Sequence, residues 1–253
     1  MKALLFDVGN TRLKWGVADD AEIHRTGSIT HQKIRETGLS ALTTRLPKAV
    51  DAAIASNVAG PTFATRLAGL VCAHCGCDLQ FAKTGRNAFG VSNSYKQPRR
   101  MGVDRWVAMI GAWTELQSAC LIVDAGTAVT IDALDENGLH LGGQILPGIF
   151  MMADALASQT SDIPSIRPAV AEAYEGIAMF AANTRGAVGS GAIGAVTGAV
   201  ERAIKTLRSN AYDATVVLTG GDASRILSAL EESPVHRPNL VMQGLVQMLE
   251  SRR

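Results

Sequence analysis

A chain that runs twice through the same short pattern has little freedom in how it folds. A short apolar run, Lys2 to Phe6, ends at Asp7 and enters the turn residues Asp7-Val8-Gly9-Asn10-Thr11. A second apolar run, Ala119 to Val123, ends at Asp124 and enters Asp124-Ala125-Gly126-Thr127. Alternating segments follow both: Thr11 to Ala18, with Leu13, Trp15 and Val17 on one face, and Thr127 to Leu134. Period-two alternation behind a Gly-bearing turn predicts an antiparallel hairpin. A third strand is expected at Glu22 to Thr30 in the first half. In the second half it is expected at Leu139 to Ile145, after a turn at Asp135 to Gly138.

Helix and strand alternate behind each hairpin. In the first half helical spacing runs from His31 to Leu46, a strand from Val50 to Val58, a helix from Thr62 to Cys72 and a strand from Asp78 to Ala82. In the second, helices fill most of Gly148 to Arg208, a strand covers Ala214 to Leu218 and a helix follows Gly221-Asp222. Three strands and then alternation is the order of a ribonuclease-H-like domain, so the fold class is α/β with that domain duplicated. The boundaries fall at 1–117 and 118–253. No linker rich in Pro or Ser separates the halves, which are expected to pack closely around an interdomain cleft.

Composition narrows the function classes. A hydrophobic share of 47 % with 19 % charged residues is that of a globular chain. The formal net charge is +1, and no dense Lys/Arg run stands out beyond short pairs such as Arg99-Arg100, which gives nucleic-acid binding no support. The charge-free stretch Gly186 to Val200 is shorter than the about 20 residues a bilayer needs, and Met1 leads directly into a strand. A cytoplasmic protein is expected. Four cysteines in 253 residues are no disulfide framework. Cys72, His74, Cys75 and Cys77 crowd six residues, whereas structural zinc usually draws ligand pairs from separate segments or across a longer loop, so buried or partly buried thiols are the expected role.

The repeated hairpins carry phosphate chemistry. Gly in a tight turn lets backbone N–H groups approach an anion, Asn or Thr adds a donor, and the strand-ending Asp can hold a cation or its water. Either hairpin alone reads equally as an ordinary turn; two of them can clamp a polyphosphate. Thr219-Gly220-Gly221-Asp222 joins a strand to a helix, and bare glycines there admit a flat adenine or ribose, although Asp222 also suits a plain N-cap. Gly102-Val103-Asp104-Arg105 opens a helix ahead of the second apolar run. Asp104 can act as a general base and Arg105 can pair substrate oxygens, or the two can form a solvated capping pair. The chain has no Walker-type Gly-x-x-x-x-Gly-Lys loop.

Together these pieces resemble the type III pantothenate kinases, also known as the Bvg accessory factor family, within the actin-like ATPase superfamily. The resemblance rests on both hairpins, on Gly102-Val-Asp-Arg105, and on Gly142-Gly-Gln-Ile-Leu-Pro-Gly148. Asn183-Thr184, Thr219-Gly-Gly-Asp222 and Asn239-Leu-Val-Met-Gln-Gly-Leu245 add to it, in the family's order. It is weakest between Asp20 and Lys83 and from Ser161 to Ala173. The resemblance implies ATP-dependent phosphorylation of pantothenate to 4′-phosphopantothenate, the first step towards coenzyme A, by a homodimer with shared active sites. It implies that Asp7, Val8, Gly9, Asn10, Thr11, Arg12, Leu13 and Lys14 hold the ATP phosphates with Thr127, and that Gly220 and Gly221 line the nucleotide. Asp104 would take the proton from the primary hydroxyl. Tyr95, Gly102, Val103, Asp104, Arg105 and Thr184 would bind pantothenate. Asp124 would hold a monovalent cation, K⁺ or NH₄⁺, and Mg²⁺ would arrive with ATP near Asp7. Two alternatives stand beside this reading: another small-molecule kinase of the superfamily, and a transcription regulator without kinase activity. The second has no helix-turn-helix or basic stripe to support it.

Overall fold

The computed structural model describes residues 1–163, 165 and 179–250, and divides into two compact units. The first is Met1–Gln117 with Asn239–Arg253, the second Ser118–Pro238.

In the first unit, β1 (Lys2–Val8), β2 (Arg12–Asp19) and β3 (Glu22–Thr30) form an antiparallel meander, and β4 (Ala52–Asn57) and β5 (Leu79–Phe81) extend it in parallel. The sheet order is β3-β2-β1-β4-β5. Alternate residues face opposite sides. Leu4, Phe6, Val8, Leu13, Trp15, Ala53 and Ala55 form one core with Ile34 of α1 (His31–Thr37) and Leu67 and Val71 of α2 (Pro61–Cys75). The helix expected from His31 to Leu46 is instead broken at Gly38. That residue has φ +79°, a conformation glycine takes at little cost, and a 3-10 turn at Leu39–Leu42 follows. Thr30 caps α1 by accepting from Lys33 N at 3.1 Å.

The helices α3 (Val103–Leu116) and α7 (Leu240–Glu250) also belong to this unit. An added Cβ on Gly111 would lie 2.6 Å from the Leu240 carbonyl oxygen, and one on Gly244 would fall on the carbonyl of Val107. Bare glycines therefore let the two helices approach backbone to backbone. The boundary expected at 118–253 is corrected accordingly, because the last helix packs in the first unit. Its buried Leu240, Val241, Met242, Leu245 and Val246 mark an apolar face, but periodicity cannot say which sheet that face covers.

The second unit repeats the plan. Its strands are β8 (Cys120–Ala125), β9 (Ala128–Leu134), β10 (His140–Pro147), β11 (Thr215–Thr219) and β12 (Val235–His236). Their order is β10-β9-β8-β11-β12, with β8–β9–β10 antiparallel and β11 parallel to β8. Leu121, Val123, Val129 and Ile131 share a core with α4 (Ile149–Gln159), α5 (Thr184–Ser209) and α6 (Ala223–Leu227). The turn at Asp135 to Gly138 forms as expected: Asp135 Oδ1 accepts from the backbone of Asn137 at 2.9 Å and Leu139 at 2.8 Å. Part of the helical stretch expected between Gly148 and Arg208, and of the weakly matched stretch from Ser161 to Ala173, lies on 164 and 166–178, outside the described residues.

Four small residues recur on one side of α5 and divide in use. Gly186 packs against Ala181, and Ser190 Oγ donates to the Met179 carbonyl at 2.6 Å. Gly194 and Gly198 meet nothing among the described residues. In the cysteine cluster, Cys75 is buried with its Sγ 3.2 Å from the Pro47 carbonyl oxygen, and burial pushes its thiol up; Cys77 is half-buried, whereas Cys72 is exposed, against the expectation. No described helix is long and apolar enough to cross a membrane.

Candidate active site

In each unit one group of candidate residues lies at the end of the central strand; a further group stands at the start of α3, and Thr184 at the start of α5. In the first unit Asp7 and Lys14 are directly opposed across the β1–β2 ladder, so their side chains share a face, with Lys14 Nζ 3.8 Å from Asp7 Oδ2. The connecting turn closes through Gly9 N donating to Arg12 O at 3.1 Å, and Asn10, Thr11 and Arg12 stand exposed at its tip. Val8 and Leu13 are 1 % and 0 % exposed in the core, so only their backbone can meet a ligand. The turn is braced from α1. His31 Nε2 donates to the Gly9 carbonyl at 2.8 Å, and the His31 backbone N–H donates to Thr11 O at 2.9 Å.

Gly102 caps α3, and Asp104 lies in its first turn. An added Cβ on Gly102 would sit 2.5 Å from Asp104 Oδ1, so the bare glycine lets the carboxylate fold back over the helix start. That oxygen accepts from Arg105 N at 2.8 Å. The Asp–Arg pair is not a solvated one. Arg105 is only 6 % exposed; its Nη1 donates to Tyr95 Oη at 2.9 Å and its guanidinium lies 5.7 Å from the Tyr95 ring centre. The structure thus brings Tyr95 to the Gly102–Arg105 element.

In the second unit Asp124 is half-buried in β8, and Thr127 is exposed at the turn. Two distant segments build this corner. Gly220, at φ +100°, lies so close that an added Cβ would overlap the Ala125 carbonyl and come within 2.5 Å of Asp124 Oδ1. Gly148 donates its N–H to Thr127 O at 3.0 Å, and a Cβ there would fall on the Gly126 carbonyl. The bareness of Gly220 and Gly148 therefore serves the second hairpin itself, whereas Gly221 meets nothing among the described residues. Asp222 stands at the α6 N-cap, but its carboxylate takes Arg225 Nε at 2.9 Å instead of a backbone amide. Thr184 is exposed in the first turn of α5, which Asn183 caps by accepting from Gly186 N at 2.8 Å.

Sequence reasoning missed His31, Arg86 and Asn93. His31 acts through a carbonyl 22 positions away; Arg86 and Asn93 act through carbonyls and an amide of their own loop, and the one local signal is the Asn93 side chain bonding the Tyr95 amide two residues on. Among the described residues no three His, Cys, Asp or Glu side chains gather as metal ligands.

Two hairpin-led sheets of one order, each ending in an Asp-bearing turn, define the duplicated fold of the actin-like ATPases and related kinases. A protein described as a Baf family transcriptional activator from Campylobacter jejuni aligns at TM-score 0.60 with 18 % identity, covering 98 % of each chain. The activator of 2-hydroxyisocaproyl-CoA dehydratase from Clostridium difficile, solved with bound ADPNP, aligns at 0.50 with 13 % identity over 100 % of this chain and 98 % of that one. Both share the fold. The chain belongs to the type III pantothenate kinase family, whose profile matches residues 3–206. Type III pantothenate kinases from Azoarcus sp. and Nitrosococcus oceani are 39 % and 32 % identical to it. They align over 96 % and 97 % of this chain and 88 % and 92 % of their own.

Proposed function

We propose that this protein transfers the γ-phosphoryl group of ATP to the primary hydroxyl of pantothenate, giving 4′-phosphopantothenate and ADP. Family membership over nearly the whole chain carries the reading. The pairing of buried Arg105 with Tyr95 beside Asp104 supports the assignment of the substrate element. Phosphoryl transfer asks a protein for positioning and for neutralised charge more than for covalent chemistry. Asp7 to Lys14 hold the phosphates, chiefly through turn amides and the exposed Asn10, Thr11 and Arg12, with Thr127 assisting and Gly220 and Gly221 beside the nucleotide. Asp104 accepts the hydroxyl proton as oxygen attacks phosphorus. Tyr95, Gly102, Val103, Arg105 and Thr184 bind the acceptor.

The donor set fits cations that bring most of their own ligands. Asp7 offers one carboxylate, which suits Mg²⁺ arriving with ATP phosphates and water. Asp124 offers a carboxylate that meets Gly220 beside the Ala125 carbonyl, hard oxygen donors that suit K⁺ or NH₄⁺. When bound, such ions offset phosphate charge that a Walker lysine would otherwise meet. The working unit is a homodimer. On the second unit Ile145 is 64 % exposed and Met151 43 %, and α5 leaves Gly194 and Gly198 open, exposed positions that suit contact with a second copy of the chain. A coupled assay with pantothenate, ATP, Mg²⁺ and K⁺ tests the reading. ADP release that depends on pantothenate supports it, and ADP release driven equally by hexoses would replace it with the sugar-kinase alternative.

A further inference from the structure

The segment between Thr84 and Met101 carries only a hairpin of two-residue strands and a 3-10 turn at Pro98–Arg100, yet it is heavily bonded. β6 (Asn87–Ala88) and β7 (Val91–Ser92) are joined by Phe89 at φ +54° and Gly90 at φ +82°, the sign pattern of a type I′ turn. A bulky aromatic residue in that region is a strained choice, held by its surroundings. Gly90 lies directly on the Trp113 indole of α3, leaving no room for a Cβ. The hairpin is thus fixed to the helix that begins with Asp104 and Arg105.

Behind the hairpin, Asn93 is 2 % exposed and every polar group on it is used. Its Nδ2 donates to the carbonyls of Gly85 at 3.2 Å and Pro98 at 3.4 Å, and its Oδ1 accepts from Tyr95 N at 3.0 Å. Its backbone N–H donates to Arg86 O at 2.8 Å. The Arg86 guanidinium returns to three carbonyls: Asn93 at 2.9 Å, Tyr95 at 2.9 Å and Lys96 at 3.3 Å. Thr84 Oγ1 closes the loop on Met101 O at 3.1 Å, and Arg105 closes it again through Tyr95 Oη.

We infer that Asn93 and Arg86 are positioning residues that hold Tyr95 in its substrate-binding place before any substrate arrives, so that the acceptor half of the site is preformed. The inference rests on the assignment of Tyr95 to pantothenate. A guanidinium spent on three carbonyls of one loop fixes a backbone path, and an amide that ties both ends of that loop fixes its depth. Preorganisation of this kind lowers the cost of binding and leaves the chemical step alone.

Steady-state kinetics of the full-length enzyme, with amide exchange on the ligand-free protein, test it. Asn93→Asp keeps an acceptor for Tyr95 N and loses the two amide donors; Arg86→Ala removes an exposed side chain without opening a core. Each should raise KM for pantothenate about tenfold, on the scale of the net worth of the two or three hydrogen bonds lost, with kcat and KM for ATP within about twofold of wild type. Arg86→Lys, which keeps charge but not the planar fork, should recover only part of the loss. The Tyr95 amide should exchange slowly in ligand-free wild type and rapidly in Asn93→Asp. An unchanged KM for pantothenate in Arg86→Ala, a wild-type KM in Arg86→Lys, or fast exchange of the Tyr95 amide in ligand-free wild type would each overturn the inference. If wild type does not phosphorylate pantothenate at all, the proposed function fails, and the exchange measurement still decides whether the loop is preformed.

Discussion

The imidazole Nε2 of His31 donates to the carbonyl oxygen of Gly9 across 2.8 Å, so that a helix start holds the tip of the first hairpin from beneath. The ring is fixed in turn by an edge-on contact with Phe63, centroids 4.7 Å apart. His31→Leu leaves the Gly9 carbonyl without this donor and frees the turn. We expect KM for ATP to rise about tenfold with little change in KM for pantothenate, and His31→Gln, which can still donate, to fall between. Equal rises in both constants would show a general loss of structure instead.

Asp104 is the expected general base. Asp104→Asn keeps its shape and removes its proton affinity, so turnover should drop by about 10²–10⁴-fold while ATP binding, read by calorimetry, survives. Gly102 supplies an independent probe. A Cβ there would crowd Asp104 Oδ1 at 2.5 Å, so Gly102→Ala should displace the carboxylate without changing it. A displacement on that scale costs about 10²-fold in rate. A fully active Asp104→Asn enzyme would remove this residue from the base role, and a fully active Gly102→Ala would show that its position is not fixed by the glycine.

The two-fold repeat of hairpin and sheet was legible because alternation and turn chemistry are local. The places of Asp7 and Asp124 after the first strand of each half, and the succession of strands along the chain, could be read from the chain itself. Three things could not. The break at Gly38 depends on a positive φ that a helical pattern does not reveal. The membership of α7 depends on Gly244 meeting the carbonyl of Val107, more than a hundred positions earlier. The bracing of Tyr95 by Asn93 and Arg86 depends on side chains bonding backbone groups, which leaves no periodic trace. The signatures ending in Gly148 and Leu245 were visible as motifs, and their physical reason is the close approach that glycine permits.

That approach makes a stability prediction. Gly244→Val places a branched side chain against Val107 and its carbonyl in the α3–α7 contact. Overpacking of this kind costs about 1–3 kcal/mol. The urea midpoint should fall with an unchanged slope, and the folded fraction should retain its KM values. A midpoint equal to wild type would mean that the helices separate freely.

The thiols separate by burial. Cys120 is fully buried in β8, and desolvation pushes its thiol from 9.0 up to about 12, whereas Cys72 is exposed. The thiolate is the reactive form. An aromatic disulfide reagent at pH 8 should label Cys72 promptly and Cys120 only after denaturation. The sign for stability follows from linkage. The unfolded thiol ionises near 9 while the folded one stays protonated, so this contribution is complete below about pH 9 and is lost towards pH 12. Rapid native labelling of Cys120, located by peptide mapping, would contradict its burial.

The proposed dimer makes the last prediction, and the open side of α5 directs it. Val188, Ala192, Ile193, Val196 and Val200 turn inward to the second core, whereas Gly194 and Gly198 meet nothing among the described residues. Each helical Gly costs about 1 kcal/mol against Ala, a cost that a close helix contact with a second copy would offset. Gly194→Leu with Gly198→Leu should therefore convert the dimer to monomer in light scattering and lower activity with it. Subunit mixing tests whether sites are shared. Asp104→Asn and Thr184→Trp chains should each be inactive alone. After the two are unfolded and refolded together, half of the dimers are mixed. Each mixed dimer has one site that draws intact Asp104 and intact Thr184 from different chains, so roughly a quarter of wild-type activity should return. A wild-type monomer at assay concentration, or mixed dimers that stay inactive, would place both residues in one chain's site and end the shared-site reading.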